Sequence, residues 1–240
     1  MAGIESLRGL PYNVAPMARP SSQDDEIAQS TASGDSRDSK PSRVLIVLPG
    51  WVGDVVLATP ALRALRQHYA GQHITGLVKG HLAPVLSGGD WMDEVLHWPG
   101  RGVSRPKRHR SFLGFAAELR DRRFDLAILL TNSFRSAMLT RLAGIHRRVG
   151  YDRDGRGLLL TDKLLPQKHN GKFVPVPMIR YYNAVARYLG CRECPELPEL
   201  FTSPEDEAGA IAAIASAGVK PSQPIVVLNP GASFGSAKCW

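Results

Sequence analysis

No apolar stretch of this 240-residue chain approaches the roughly 20 residues needed to cross a bilayer. The amino terminus also lacks the apolar core of a secretory signal. Cysteine is scarce: Cys191, Cys194 and Cys239 are the only three. An odd number without a signal peptide suggests a reducing compartment, so the expected location is cytoplasmic. Cys191 and Cys194 form a lone CxxC with no second pair or histidine at zinc spacing. It reads as a loop with two free thiols rather than a metal or redox centre. Gly50-x-x-Gly53 is not GxGxxG, and the glycines before Lys238 lack the GxxxxGK[ST] spacing. The usual signatures of dinucleotide and nucleoside-triphosphate binding are therefore not met at these loops.

The first 42 residues lack any sustained apolar period and are rich in Ser, Asp, Ala, Gln and Pro, the composition of a disordered tail. They are nearly balanced in charge, with five Lys/Arg against six Asp/Glu in the first 43 residues. The net charge of +8 and pI near 9.7 therefore belong to the body. A basic body favours anionic partners: phosphates, acidic sugars, nucleic acid or an anionic membrane face. With 43% hydrophobic residues, the length suits one full domain and part of another.

From residue 44 strands and helices alternate. Apolar runs predict strands at 44–48, 74–79, 94–98, 125–130 and 148–151. Helical periods fall at 57–69 (or from Pro60), 82–86, 112–122, 134–142 and 178–189. Residues 191–206, with three prolines, read as an interdomain linker. Ser203-Pro204 caps an alanine-rich helix running to about Ala217 and closed by Gly218, and 225–228 is the next strand. Such alternation predicts a parallel, doubly wound sheet.

In such sheets the ligand crevice lies beyond the carboxyl ends of the strands. Asp54 follows the first strand across a glycine corner, which suits a general base towards a hydroxyl; helix capping is the plainer reading. Thr59-Pro60 could cap the helix instead, leaving Asp54 in the preceding turn. Asn132, Ser133 and Arg135 follow the fourth strand on the same side, either capping the next helix or facing a ligand. Residues 101–123 hold eight Lys/Arg against two acids, a solvated loop or a surface for a phosphate-rich acceptor or anionic membrane. Phe112 and Phe115 suit a buried helix face better than a nucleic-acid stacking platform. Asp152-Arg153-Asp154 spells DxD, but Arg147, Arg148, Arg153 and Arg156 surround it and oppose a metal ion; an arginine-laced loop near an anionic acceptor fits better. Near the carboxyl end, Gly231, Ser233, Gly235 and Ser236 could present donors to a diphosphate with Lys238 supplying charge.

Taken together, PGWVGDVVLATPALRAL at 49–65, LTNSFRSAMLTRLAGIHRRVGYDRDGR at 130–156, PMIRYYNAVARYLG at 177–190 and NPGASFGSAKCW at 229–240 resemble the ADP-heptose:lipopolysaccharide heptosyltransferases, most closely the heptosyltransferase II type. The resemblance covers about residues 44–240. It implies an α/β, GT-B-like enzyme: a Rossmann-like parallel-sheet domain plus the beginning of a second one. The expected division is a tail at 1–42, an acceptor-side domain at 43–198 and the start of an incomplete donor-binding domain at 199–240. It further implies inverting, metal-independent transfer of heptose from ADP-L-glycero-β-D-manno-heptose to an inner-core heptose of lipopolysaccharide. No cofactor is implied beyond the ADP-heptose donor. The family's catalytic aspartate falls on Asp54, its donor-diphosphate lysine on Lys238 and the accompanying tryptophan on Trp240. Its NSF[KR]SA segment falls on residues 132–137.

The expected roles are Asp54 as base, Ser233, Ser236 and Lys238 on the donor, and Asn132, Ser133, Arg135, Arg153 and Arg156 on the acceptor. Expected partners are ADP-heptose and the lipopolysaccharide inner core, with peripheral contact to the inner face of an anionic inner membrane and no nucleic acid. Family members are longer and carry no such tail, so a chain of this length is expected to show little or no transferase activity alone. Another GT-B transferase, a non-catalytic module for anionic glycolipids and a basic nucleic-acid-binding domain remain the rival readings.

Overall fold

The computed structural model describes residues 41–99, 111–220, 223–226 and 228. The expected tail and the basic centre of the 101–123 segment fall largely outside these residues.

Strand β1, Arg43–Val47, has Val44, Leu45, Ile46 and Val47 fully buried. An unbroken apolar run of this kind suits a strand covered on both faces. It leads into helix α1, Val52–His68, then β2, His73–Val78, a 3-10 turn at Gly80–Leu86, and β3, Glu94–His97. Helix α2, Phe112–Asp121, β4, Leu126–Leu129, helix α3, Phe134–Leu142, and β5, Arg147–Tyr151, follow. After a second 3-10 turn at Gly157–Leu159 come β6, Asp162–Leu164, and a two-stranded hairpin of β7, Lys168–His169, and β8, Lys172–Phe173. Helices α4, Met178–Tyr188, and α5, Pro204–Ser216, complete the described elements.

Six strands form one parallel sheet in the order β3-β2-β1-β4-β5-β6. The chain enters at β1, runs outward through β2 and β3, then crosses back to β4 and runs out the other way. The order therefore reverses between β1 and β4, the place where open α/β sheets open a crevice. Alternate residues of β1 feed opposite cores. Val44 and Ile46 pack with Leu62 and Leu65 of α1 and Val185 of α4. Leu45 and Val47 pack with Phe115 and Leu119 of α2 and Leu139 of α3.

Helix α1 starts earlier than the sequence predicts, because Thr59-Pro60 does not cap it. Pro60 lies inside the helix. Proline cannot donate to the carbonyl four residues back. The Thr59 hydroxyl donates to that carbonyl, Val56 O, at 2.8 Å. The earlier start places Gly53 and Asp54 in the first helical turn rather than in a preceding loop. Two features went unpredicted: β6 and the β7/β8 hairpin. The hairpin turns on Asn170 (φ 50°) and Gly171 (φ 76°), a two-residue loop with left-handed backbone at both positions.

The segment read as a linker is tethered to the body. The Glu199 amide donates to Thr59 Oγ1 at 3.1 Å, Arg63 pairs with Glu199, and the Phe201 ring lies 5.8 Å from Trp91. Beyond it α5 carries a capping box, with Ser203 Oγ accepting from the Asp206 amide. None of its residues is buried. The strand expected at 225–228 is not formed at Ile225, Val226 and Leu228, which are all exposed. Among the described residues no strand pairs with them.

Candidate active site

The carboxyl ends of β1 and β4 open into a cleft of about 850 Å³, lined by Asp54, Lys79, His81, Asn132, Ser133, Arg135, Asp154 and Tyr182, with Trp51 and Trp98 among its apolar walls. This is the reversal point of the sheet. Two of the loops singled out in the sequence, after β1 and after β4, meet there although about eighty residues separate them.

Asp54 is half-buried in the first turn of α1 and faces the cleft. The helix begins at Trp51 without a side-chain cap. Asp54 therefore sits in the first turn, near the positive end of the helix dipole. Its side chain also interacts with the Tyr182 hydroxyl across the α1/α4 contact. Burial raises the Tyr182 phenol far above its ordinary pKa, and the Asp54 charge adds to the rise. Tyr182 is thus a neutral hydroxyl donor towards the carboxylate.

Gly50 and Gly53 differ in role. A Cβ on Gly50 would lie 2.9 Å from Lys79 Nζ. The Lys79 ammonium donates to Gly50 O at 3.1 Å and stands over the Trp51 ring at 5.7 Å. Gly53 has open space where a side chain would stand. Uncapped amides, an open Gly53 and the Lys79 charge make this end of the cleft suitable for an anionic group.

Across the cleft, Ser133 is exposed at the start of α3 and its hydroxyl makes no cap. Arg135 is exposed, with its guanidinium 5.1 Å from the Phe112 ring centre. Asn132 Oδ1 accepts from Tyr181 Oη at 3.0 Å and from an Arg156 amino group at 3.2 Å. That leaves its amide nitrogen as the group able to donate into the cleft.

Arg156 requires a correction. It was expected to clamp the acceptor, but it is fully buried. Its Nε donates to Tyr151 O at 2.9 Å, and its amino groups donate to Thr131 O and Asn132 Oδ1. Burial lowers its pKa to about 10, with nearby carboxylates and Tyr181 opposing the fall. It stays charged at neutral pH, but its hydrogen bonds hold the β4 and β5 loops together. Arg153 lines a neighbouring cavity rather than the Asp54 cleft. The DxD pair also separates: Asp154 lines the cleft with a left-handed backbone (φ 54°), whereas the Asp152 carboxylate packs against Gly157. Among the described residues no group of three or more His, Cys, Asp or Glu gathers at metal-binding distance.

Lys79, His81, Tyr182 and the two tryptophans were not predicted. Lys79 directly follows β2, so the strand-end rule that picks out Asp54 and Asn132 also reaches it. Tyr182 had no such signal, since its place depends on how α4 packs on α1. Ser233, Ser236, Lys238 and Trp240 lie outside the described residues.

The family described as glycosyltransferase family 9 (heptosyltransferase) matches residues 112–240. Lipopolysaccharide heptosyltransferase 2 of Escherichia coli K12 is 30% identical over 203 residues, covering 82% of this chain and 56% of that one. Lipooligosaccharide heptosyltransferase 2 of Haemophilus ducreyi is 29% identical over 204 residues, with the same shares. The chain thus spans about half the length of the curated relatives it matches. The solved ADP-heptose lipopolysaccharide heptosyltransferase II of E. coli superposes with a TM-score of 0.63 at 27% identity, over 82% of this chain and 57% of that one. A family 9 glycosyl transferase from Veillonella parvula gives 0.61 at 20% identity, over 75% and 51%, a likeness of fold alone. A parallel sheet with its crevice at the β1/β4 reversal, and a family match over more than half the sequence, lead to one conclusion: the chain belongs to glycosyltransferase family 9, the heptosyltransferases.

Proposed function

We propose that this chain forms the acceptor side of a transferase moving heptose from ADP-L-glycero-β-D-manno-heptose to an inner-core heptose of lipopolysaccharide, with inversion and without a metal ion. Asp54 takes the proton from the acceptor hydroxyl as its oxygen attacks the anomeric carbon in line. Positive charge grows on the sugar ring and negative charge on the departing ADP. Lys238, Ser233 and Ser236 hold the diphosphate. Asn132, Ser133 and Arg135 hold the core sugars, and Arg156 acts through Asn132. The chain works in the cytoplasm, peripherally at the inner face of the inner membrane where its glycolipid acceptor resides.

The observation that carries this reading is Asp54, a carboxylate open to a cleft at the sheet's reversal point, in a chain of this family. Relatives named heptosyltransferase 2 support the choice of donor and acceptor. The test joins this chain to the carboxyl-terminal half of the E. coli enzyme and follows transfer to a heptose-terminated core by mass spectrometry. Asp54→Asn is expected to lower kcat about 10²–10⁴-fold, and unchanged turnover would overturn the reading. A second reading is a module that binds anionic glycolipid without turnover, favoured by Lys79 and Arg135 lining the cleft. Heptose transfer by the 240-residue chain alone would exclude it.

A further inference from the structure

A second cavity of about 280 Å³ adjoins the Asp54 cleft and shares Asn132 and Met178 with it. One wall holds Tyr151 and Tyr181, stacked with ring centres 3.8 Å apart and planes 10° from parallel. The opposite wall is the strap at 165–176 that carries the β7/β8 hairpin. Phe173, Val174 and Val176 line the cavity there while staying 42%, 38% and 37% exposed. So much apolar surface left to water on one strap needs a reason.

The charges around this cavity have one sign. Arg153, Arg180 and Arg187 line it, and no Asp or Glu does. Arg180 is committed to Glu196 at 3.2 Å. Arg153 lies over the Phe173 ring at 4.2 Å and its side chain hydrogen-bonds the Tyr181 hydroxyl, but its Nε is buried without a hydrogen-bond partner. A buried donor left unmatched is costly and calls for an acceptor. Apolar walls favour a hydrocarbon, while an unmatched guanidinium nitrogen favours an oxyanion beside it. The volume is slightly below that of drug-sized sites, which suits a single chain.

We propose that this cavity binds one aliphatic chain bearing a phosphate or carboxylate, with the anion at Arg153 and the hydrocarbon between the tyrosine stack and the 165–176 strap. This goes beyond the sugar-transfer reading and does not depend on it. The same chemistry is offered by a soluble alkyl phosphate and by the chain of a bilayer lipid.

The test is calorimetric titration of the full chain with hexyl, octyl and decyl phosphate below their micellar concentrations. Affinity is expected to rise by up to about fourfold per added methylene, then to level off once the cavity is full. Inorganic phosphate and decanol are each expected to bind at least tenfold more weakly than decyl phosphate. Ala184→Trp, which fills the cavity, should abolish decyl phosphate binding, and Arg153→Gln should weaken the phosphate series while leaving decanol unchanged. Should the tryptophan variant fail to fold, Leu165→Glu at the exposed rim supplies the same loss by repulsion. Competition by phosphatidylglycerol vesicles, but not by phosphatidylcholine, supports a bilayer source; displacement only by soluble alkyl phosphates supports a free one. Equal affinity for inorganic and decyl phosphate, or undiminished binding in both cavity variants, would overturn the proposal.

Discussion

Strand β1 and helix α5 hold their shapes for opposite reasons. Every apolar residue of β1 is buried between two layers of helix, and its hydrogen bonds are shared with β2 and β4. Helix α5 buries nothing, and Ile211 is 66% exposed. Its support is mainly local: proline at the first turn, the Ser203/Asp206 capping box and three acids facing the positive end of the dipole, with one long bond of 3.4 Å from the Ser87 hydroxyl to Asp206. An isolated helix shorter than about 12–15 residues is marginal in water. Capping signals can therefore mark where a helix lies without making it part of a cooperative core.

The sharpest probe of this contrast is Leu45→Ala in β1. It should cost about 2–5 kcal/mol, lowering the midpoint of urea unfolding for the whole body while leaving the α5 signal in hydrogen exchange unchanged. Arg156→Met comes next, at about 1–3 kcal/mol for the stranded carbonyls of Thr131 and Tyr151. It should also weaken ligand binding at Asn132, which a core defect elsewhere would not do.

A smaller effect is expected in acid. Burial alone would raise the Asp125 carboxyl, but bonds from the Arg43 and Ser42 amides and the Ser42 hydroxyl, with the Arg43 charge, outweigh it and hold it below its ordinary pKa. A depressed folded-state pKa gives stability that is present above the unfolded value and lost as pH falls through the folded one. Asp125→Asn should therefore flatten the acid limb of the stability profile below about pH 4, as read by thermal unfolding at stepped pH. The smallest effect belongs to α5. Ile211→Ala should move the global midpoint by less than about 0.5 kcal/mol, while Ser203→Ala should lower amide protection within α5 alone. A global shift from Ile211→Ala would break the comparison by showing that α5 packs against the body.

The sheet was legible because its strands are unbroken apolar runs, and a strand buried on both faces leaves that trace in sequence. Asp54 and Asn132 were legible for a related reason: the crevice rule needs only strand order and strand ends. The start of α1 was misplaced because Thr59-Pro60 carries the pattern of a cap, while its hydroxyl instead serves the carbonyl that the proline leaves unbonded. Arg156 was misassigned because the sequence gives its charge and not its depth. The hairpin was missed although Asn170-Gly171 is a strong turn pair, since its strands of two residues each show no alternation. Tyr182 is visible only once α4 has been laid against α1.

The Thr59 hydroxyl, which repairs the proline gap in α1, also accepts from Glu199, and Arg63 one turn further on pairs with the same residue. Asp54 rides on that rod about 7.5 Å away along its axis. The departure point of the later chain and the acid are therefore bolted to one beam. The chain past residue 199 takes its bearings from that beam, with the Phe201 ring against Trp91 as a second point of attachment.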